Sequence, residues 1–384
     1  MGLDGQCILL TLRSCVSRID AQSSRGWEDP LQNPVVVVPG IQGSGLGDFY
    51  PLPFEERWSA IEHKEYERIA LHPDNVLFEA AEPARVQPLG PLAIAYKDLV
   101  EALRHDLTER RDRPTPVFPF GYDWRQDCQR SAEGLDEFID EFIDEVRART
   151  WLRPHYRNET DRRVDLVGHS MGGLVIADCV SRFGAKKKVR RVVTMATPFE
   201  GSLEAVKKLT TGLGSFTEDP PRDRERETSR TIPALYQLLP TFGGAVTSSA
   251  GLQTDMFKIA NWQPSILKTI AEYIRRQNAV ADAEQLFQSC LDGLSRLRAS
   301  VAKLKGALPV EDWLAIVGVG AKTQLSTDII EWPQKGANRH PCFDFPAELN
   351  DYPDPNLGQT GDGTVPFPGV RKPRWPVKAD VRTP

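Results

Sequence analysis

Residues 165–180 read DLVGHSMGGLVIADCV: an apolar run, a glycine, then His169, Ser170 and Met171, two more glycines and a second apolar run. Gly168-His169-Ser170-Met171-Gly172 fits G-x-S-x-G, the pattern that lifts a serine onto a tight strand-to-helix corner. Without its flanks the pattern is an ordinary glycine-rich connection. With a strand pattern before it and a helix pattern after it, Ser170 reads as a nucleophile, and the Met171 N–H at the helix start reads as a donor to a developing oxyanion.

A second oxyanion donor is expected from the loop after the first core strand, where VPGIQGSG lies at 38–45. The Gln42 N–H is the candidate, with Ile41 as the adjacent alternative. A phosphate cradle is the competing reading of GIQGSGLG, but the stretch lacks G-x-G-x-x-G and no Lys-Ser/Thr follows its glycines. The orienting acid should come after a later strand, in the order Ser, Asp, His. Asp362, between two glycines in QTGDGTVP, is placed for that role; an ordinary Asp-Gly turn is the bland alternative.

A serine needs a base within hydrogen-bond reach. The chain has six histidines, His63, His72, His105, His155, His169 and His340, and none follows Asp362. His340 reads as a histidine of a surface loop between the last elements. His169 sits inside the corner and is expected to point away from the nucleophile. Two explanations stand: further chain beyond Pro384 supplies the histidine, or the chain lacks its base and is a binder or is completed by a partner. The intact remainder of the machinery favours the first. Either way, these 384 residues alone are expected to be poorly active, since losing a triad member leaves only residual catalysis.

The elements that must position these groups follow from periodicity. Four valines, Val35–Val38, read as a strand buried on both faces, the parallel-sheet pattern. Residues 96–110 and 131–150 have helical spacing; 116–124, 162–169, 188–198 and 312–320 read as strands, and 171–183 as a helix. This alternation implies an α/β fold with a mostly parallel sheet and helices on both faces. Residues 51–90 read as surface loops with short helices. The core is expected at 33–201 and 310–370, with a mainly helical cap at 202–309. An N-terminal extension (1–32) and a C-terminal segment (371–384) flank them. Within the cap, EDPPRDRERETSR (218–230) reads as a mobile charged loop. Leu286, Cys290, Leu294, Leu297, Val301, Leu304 and Leu308 form a packing stripe.

Composition narrows the classes. Hydrophobic residues make up 40% and charged residues 26%, an ordinary soluble balance with material for a large core. A net charge of −5 gives no basic footprint for nucleic acid. No apolar run approaches the ~20 residues of a membrane span, and the acidic N-terminus is unlike a secretory signal. The six cysteines are scattered, without zinc spacing, and read as reduced thiols of a cytoplasmic protein. Neither metal nor cofactor is expected.

Taken in order, PVVVVPGIQGS, GYDWR (121–125), GHSMGG (168–173), ATPFEGS (196–202), ALYQLLP (234–240) and GDGTVP (361–366) resemble the lecithin:cholesterol acyltransferase family, which includes phospholipid:diacylglycerol acyltransferases and lysosomal-type phospholipases. The resemblance covers roughly 34–366. It implies an α/β-hydrolase fold with a cap and a lid, and acyl transfer from glycerolipids to water or an alcohol. It matches Ser170 to the nucleophile, Asp362 to the acid and Gln42 to the oxyanion position. It implies a lid at 44–75, which contains Trp58 but no cysteine. Ile41, Trp58, Tyr122 and Leu239 are the implied substrate or lid residues. Asp123 and Arg125 read as a structural ion pair. Leu235, Leu238, Leu239, Phe242 and Phe257 are the candidates for an apolar acyl channel. The expected partner is a lipid or other acyl ester, with peripheral contact to a membrane allowed.

Overall fold

The computed structural model describes residues 32–49, 53, 55–59, 66–74, 86–109, 111, 114–149, 163–183, 188–213, 223–333, 338–345, 361–370 and 380–382. The expected extension, 1–32, lies outside them but for its last residue. The strands are β1 (Val35–Val38), β2 (Ser44–Asp48), β3 (Glu55–Trp58), β4 (Val86–Pro91), β5 (Val117–Pro119), β6 (Val164–His169), β7 (Val189–Met195), β8 (Val246–Thr247), β9 (Trp313–Val319), β10 (Thr327–Trp332), β11 (His340–Asp344) and β12 (Asp380–Arg382). The helices are α1 (Tyr66–Ile69), α2 (Ala93–Asp106), α3 (Cys128–Ala148), α4 (Met171–Phe183), α5 (Leu203–Thr211), α6 (Asp223–Ser229), α7 (Pro233–Tyr236), α8 (Pro264–Arg276), α9 (Ala283–Ala302) and α10 (Phe367–Val370).

Among the described residues the main sheet has six strands in the order β12-β9-β7-β6-β1-β5, and every pairing in it is parallel. This is the parallel α/β sheet expected of the alternating strands and helices, and it agrees with the α/β-hydrolase fold that the family resemblance implies. The four valines of β1 show why the sheet needs cover on both sides. Val35 and Val37 pack with Tyr96, Leu99, Val100 and Leu103 of α2. Val36 and Val38 pack in the larger core with α3 and α4. Strand side chains alternate, so a one-residue slip would exchange the two faces. Each fully buried valine contributes about 1.5–3 kcal/mol. The segment 371–384 supplies the outermost strand, β12, pairing Asp380–Arg382 with Val317–Val319.

Two smaller sheets frame the main one. β3-β2-β4 is antiparallel and follows the 39–43 loop. The segment expected as loops and lid therefore begins as a strand, because Ser44–Asp48 is buried throughout. β11-β10-β8 joins one strand from 202–309 with two from beyond it, so the helical region carries a sheet built from both sides of residue 309. His340 lies on β11, opposite Trp332, rather than in a loop.

The charged run 218–230 differs most from expectation. Its described part is helical: α6 spans Asp223–Ser229, and Glu225, Thr228, Ser229 and Arg230 are buried. Two of its charges turn inward. Glu225 pairs with the buried Lys208 of α5. Arg230 donates to the carbonyls of Leu209, Thr210 and Ser265 and to the Thr269 hydroxyl. Residues 214–222 lie outside the described set. Hydropathy alone reads such a run as solvated, because it cannot see partners distant in sequence.

Arg125 is fully buried and grips Asp123 through Nε at 2.8 Å and Nη2 at 2.7 Å. Its Nη1 donates to the Ile69 carbonyl at 3.0 Å, tying α1 to the core. Removing one partner of a buried pair leaves an uncompensated charge. Arg125→Met is expected to cost about 3–5 kcal/mol, read as a lowered urea midpoint; a loss below about 1 kcal/mol would show that the pair carries no structural weight.

Candidate active site

The corner at Ser170 is built by close approach. β6 ends at His169 and α4 begins at Met171, leaving Ser170 alone between them with φ 50°. A serine in left-handed backbone costs about 1–3 kcal/mol. The Ser170 N–H donates to the Met195 carbonyl of β7 at 2.8 Å, and its carbonyl accepts from Gly173 at 3.0 Å. Gly172 permits the crossing, since a Cβ there would overlap the Val38 and Pro39 carbonyls. Met171 is fully buried as the first residue of α4.

The loop expected to carry the second oxyanion donor is a tight turn. The Gly43 N–H donates to the Gly40 carbonyl at 3.0 Å, with Gln42 left-handed at φ 59°. Four aromatic side chains hold its backbone. The Gly40 N–H donates to the Tyr96 hydroxyl at 2.8 Å. The Tyr122 hydroxyl donates to the Pro39 carbonyl at 2.9 Å. Trp58 Nε1 donates to the Gln42 carbonyl at 3.4 Å, and Trp124 Nε1 to the Ser44 carbonyl at 3.1 Å. Trp58 and Trp124 meet edge to face, their centroids 5.2 Å apart.

Ser170, Ile41 and Gln42 line one cleft of about 620 Å³, part of it open to solvent. Pro198, Ile232, Leu235, Leu238, Val365 and Trp124 give it apolar walls. Glu204, Lys208, Ser202 and Ser229 make one polar side. Trp58, Tyr122 and Leu239 do not reach it. Trp58 and Tyr122 are buried behind the loop and act on its backbone, and Leu239 is fully buried behind Leu235 and Leu238. Phe242 and Phe257 pack against the core and are likewise absent from the lining.

Asp362 lies on a turn pinned to the end of β9. Ala321 and Gly361 exchange backbone hydrogen bonds at 2.9 and 3.1 Å. A Cβ on Gly318 would come within 2.5 Å of the Asp362 Cβ, so the strand passes directly beneath the acid. Burial raises the Asp362 carboxyl above its ordinary range, while the N–H groups of Val365 (2.7 Å) and Thr364 (2.9 Å) pull the other way. Thr364 and Val365, two and three residues further on, line the Ser170 cleft. The Ser202 hydroxyl joins the two walls, donating to the Thr364 carbonyl at 2.5 Å and capping α5 by accepting from Glu204. The sequence reading placed none of Ser202, Glu204 and Lys208 at the site, although Ser202 closes the ATPFEGS motif. Helical spacing of residues 204 and 208 with the Ser202 cap was the available signal.

Among the described residues, no histidine lines the cleft. His169 follows the alternation of β6 to the opposite face, and its Nδ1 lies 2.8 Å from the Tyr96 hydroxyl. Burial pushes its pKa down to about 4. His63 and His155 lie outside the described residues. Among the described residues no cluster of His, Cys, Asp or Glu could hold a metal ion, and no helix is long and apolar enough to cross a membrane.

A depressed histidine pKa makes stability pH-dependent. Neutral His169 contributes fully above the unfolded pKa near 6.5, and that contribution is lost as pH falls toward 4. Urea midpoints from pH 7 to 4 should show the wild type losing about 2–3 kcal/mol more than His169→Asn; parallel curves would contradict a neutral buried ring.

Residues 84–329, well over half of the chain, match the lecithin:cholesterol acyltransferase family. That range includes Ser170 but neither the 39–43 turn nor Asp362. "Lecithin-cholesterol acyltransferase-like 4" of Arabidopsis thaliana is 26% identical over 202 residues, covering 46% of this chain and 36% of its own length. The chain thus spans about a third of that relative. Among solved structures, the Tle4-Tli4 complex superposes with a TM-score of 0.63 at 14% identity, covering 89% of each chain, which speaks to the fold. The mature lipase BlEst2 of Bacillus licheniformis aligns over 78% of this chain and 72% of its own at 13% identity, with a TM-score of 0.29, too slight a likeness to argue from.

Proposed function

The chain belongs to the lecithin:cholesterol acyltransferase family, and from that premise we propose that it is a lipid ester hydrolase or acyltransferase working through an acyl-enzyme on Ser170. The observation that carries this reading is the corner itself: a serine in left-handed backbone, half-buried, opening on an apolar cleft beside the 41–42 turn. A strained backbone at a cleft marks function when the surrounding packing enforces it.

In this reading the Ser170 Oγ attacks the ester carbonyl carbon, and its proton passes to an imidazole. The carbonyl oxygen takes the negative charge and is held by the N–H groups of Gln42 and Met171, each worth about 3–4 kcal/mol of barrier. The C–O bond breaks, the alcohol leaves with the imidazole proton, and the acyl chain stays on Ser170. Water or an alcohol then reverses the sequence. Ile232, Leu235 and Leu238 supply apolar surface for the acyl chain. Asp362 would orient the imidazolium and stabilise it.

The imidazole is part of the proposal, since no histidine among the described residues lines the cleft. In this proposal it is supplied by further chain or by a partner and is seated against the Asp362 turn. That same absence favours one alternative: a protein of this fold that binds lipid or another protein without turning it over. A cytoplasmic site of action with peripheral contact at a lipid surface fits the first reading.

Fluorophosphonate labelling with peptide mapping separates the two. The chain should label slowly at Ser170 and faster when free imidazole is added to the buffer. Ser170→Ala should not label, and Asp362→Asn should blunt the imidazole effect. No labelling of the wild type under either condition would leave the binding alternative. In a series of p-nitrophenyl esters with imidazole present, longer acyl chains should be preferred; a preference for the shortest would point to non-lipid esters.

A further inference from the structure

We propose that Tyr96 is the positioning residue of the oxyanion loop, its one hydroxyl holding the loop against the nucleophile corner; this rests on the serine reading above. Of the four aromatic side chains on the loop, Tyr96 alone also bonds the strand that carries Ser170. The Gly40 N–H can only donate, so the phenol oxygen accepts that bond. The phenol has one proton of its own and directs it to His169 Nδ1, 2.8 Å away. His169 is therefore neutral, with Nδ1 as its accepting nitrogen and Nε2 protonated. The chain runs Gly40 N–H to Tyr96 O–H to His169 Nδ1, and each bond polarises the next.

Both protonation states that the chain needs are protected by burial. The phenol is pushed up to about 12, so it keeps its proton. The imidazole is pushed down to about 4, so it stays an acceptor. The Tyr96 and His169 rings also meet edge to face, with centroids 5.8 Å apart.

The geometry matters because the contact lies where the loop passes over the corner. A Cβ on Gly40 would lie 2.9 Å from the Ser170 Cβ and 3.3 Å from His169 Nδ1. Two residues further on, Gln42 lines the cleft with Ser170. The spacing between an oxyanion donor on the turn and the serine oxygen is thus set at Gly40. Tyr96 itself comes from α2, on the face of the sheet opposite the nucleophile helix α4. It touches no reacting atom; it sets where the turn sits. Its effect should fall on the transition state, because an oxyanion exists only after attack begins.

The test uses Tyr96→Phe, which keeps the ring and removes only the hydroxyl. With imidazole added, ester turnover and fluorophosphonate labelling of Ser170 are measured on wild type and variant. Tyr96→Phe should lower kcat about 10- to 100-fold, part of the roughly 100- to 1,000-fold loss seen when an oxyanion donor is removed outright. KM should stay within about twofold, since substrate binding is not the affected step. Labelling should slow in parallel. His169→Asn, whose Oδ1 can replace Nδ1 as acceptor, should retain most of the rate, whereas His169→Leu should fall with Tyr96→Phe. Wild-type rates in Tyr96→Phe, or a loss confined to KM, would overturn the proposal. Should Tyr96→Phe not fold, the His169 pair decides: equal rates in His169→Asn and His169→Leu count against it. Hydrogen exchange on the wild type gives an independent reading, since fast exchange of the Gly40 amide would contradict the bond. Failure of the serine reading looks different: the wild type itself would then not label at Ser170.

Discussion

The left-handed backbone at Ser170 is the constraint on which the rest of the site depends. A parallel strand feeding directly into a helix leaves room for one residue between them, and that residue must turn with positive φ. Its neighbours must then be small, because α4 crosses within contact of the Val38 and Pro39 carbonyls. The sheet absorbs the strain. β6 is held by β1 on one side and β7 on the other, and the Ser170 amide is itself bonded to β7. A hydroxyl held in this way stays at the edge of the sheet because no cheaper backbone is open to it.

The same logic governs the loop opposite. Residues 39–44 carry backbone groups that would be costly to bury unpaired. Aromatic side chains meet that demand: Tyr122 and the indoles of Trp58 and Trp124 donate to carbonyls, and Tyr96 accepts an amide. Rings are well suited to this, since they fill the core with few rotatable bonds and carry one polar atom at the rim. The aromatic residues that suggested a lid or a substrate contact are thus the frame of the turn.

The remaining wall of the cleft joins apolar surface to a short polar face. Leu235 and Leu238 follow Arg230, whose guanidinium draws together the ends of α5 and α8 through carbonyls. Lys208 and Glu225 pair between α5 and α6 within the same wall. A buried pair is a poor source of net stability but a strong constraint on geometry, since neither partner can move without stranding the other. That gives the wall a fixed shape and a fixed polar end.

Much of this was legible in the chain. The four valines announced a strand buried on both faces, and the span 171–183 was readable as a helix because glycine and apolar periodicity agreed there. Ser170, Ile41 and Gln42 were identifiable because tight turns restrict residue type locally. What sequence could not supply was direction and partnership across distance. It read residues 218–230 as a mobile charged loop, although Glu225 turns inward to Lys208 and Arg230 to carbonyls as far away as residue 265. It assigned Trp58 and Tyr122 to the substrate site or lid, whereas their polar atoms hold the backbone of the 39–43 loop. It also left Tyr96 unremarked at the start of the helical span 96–110. Local pattern determined which residues must turn, stretch or be buried; only the tertiary structure decided which hydroxyl meets which amide, because hydrogen-bond partners are set by packing between segments that the chain itself keeps far apart.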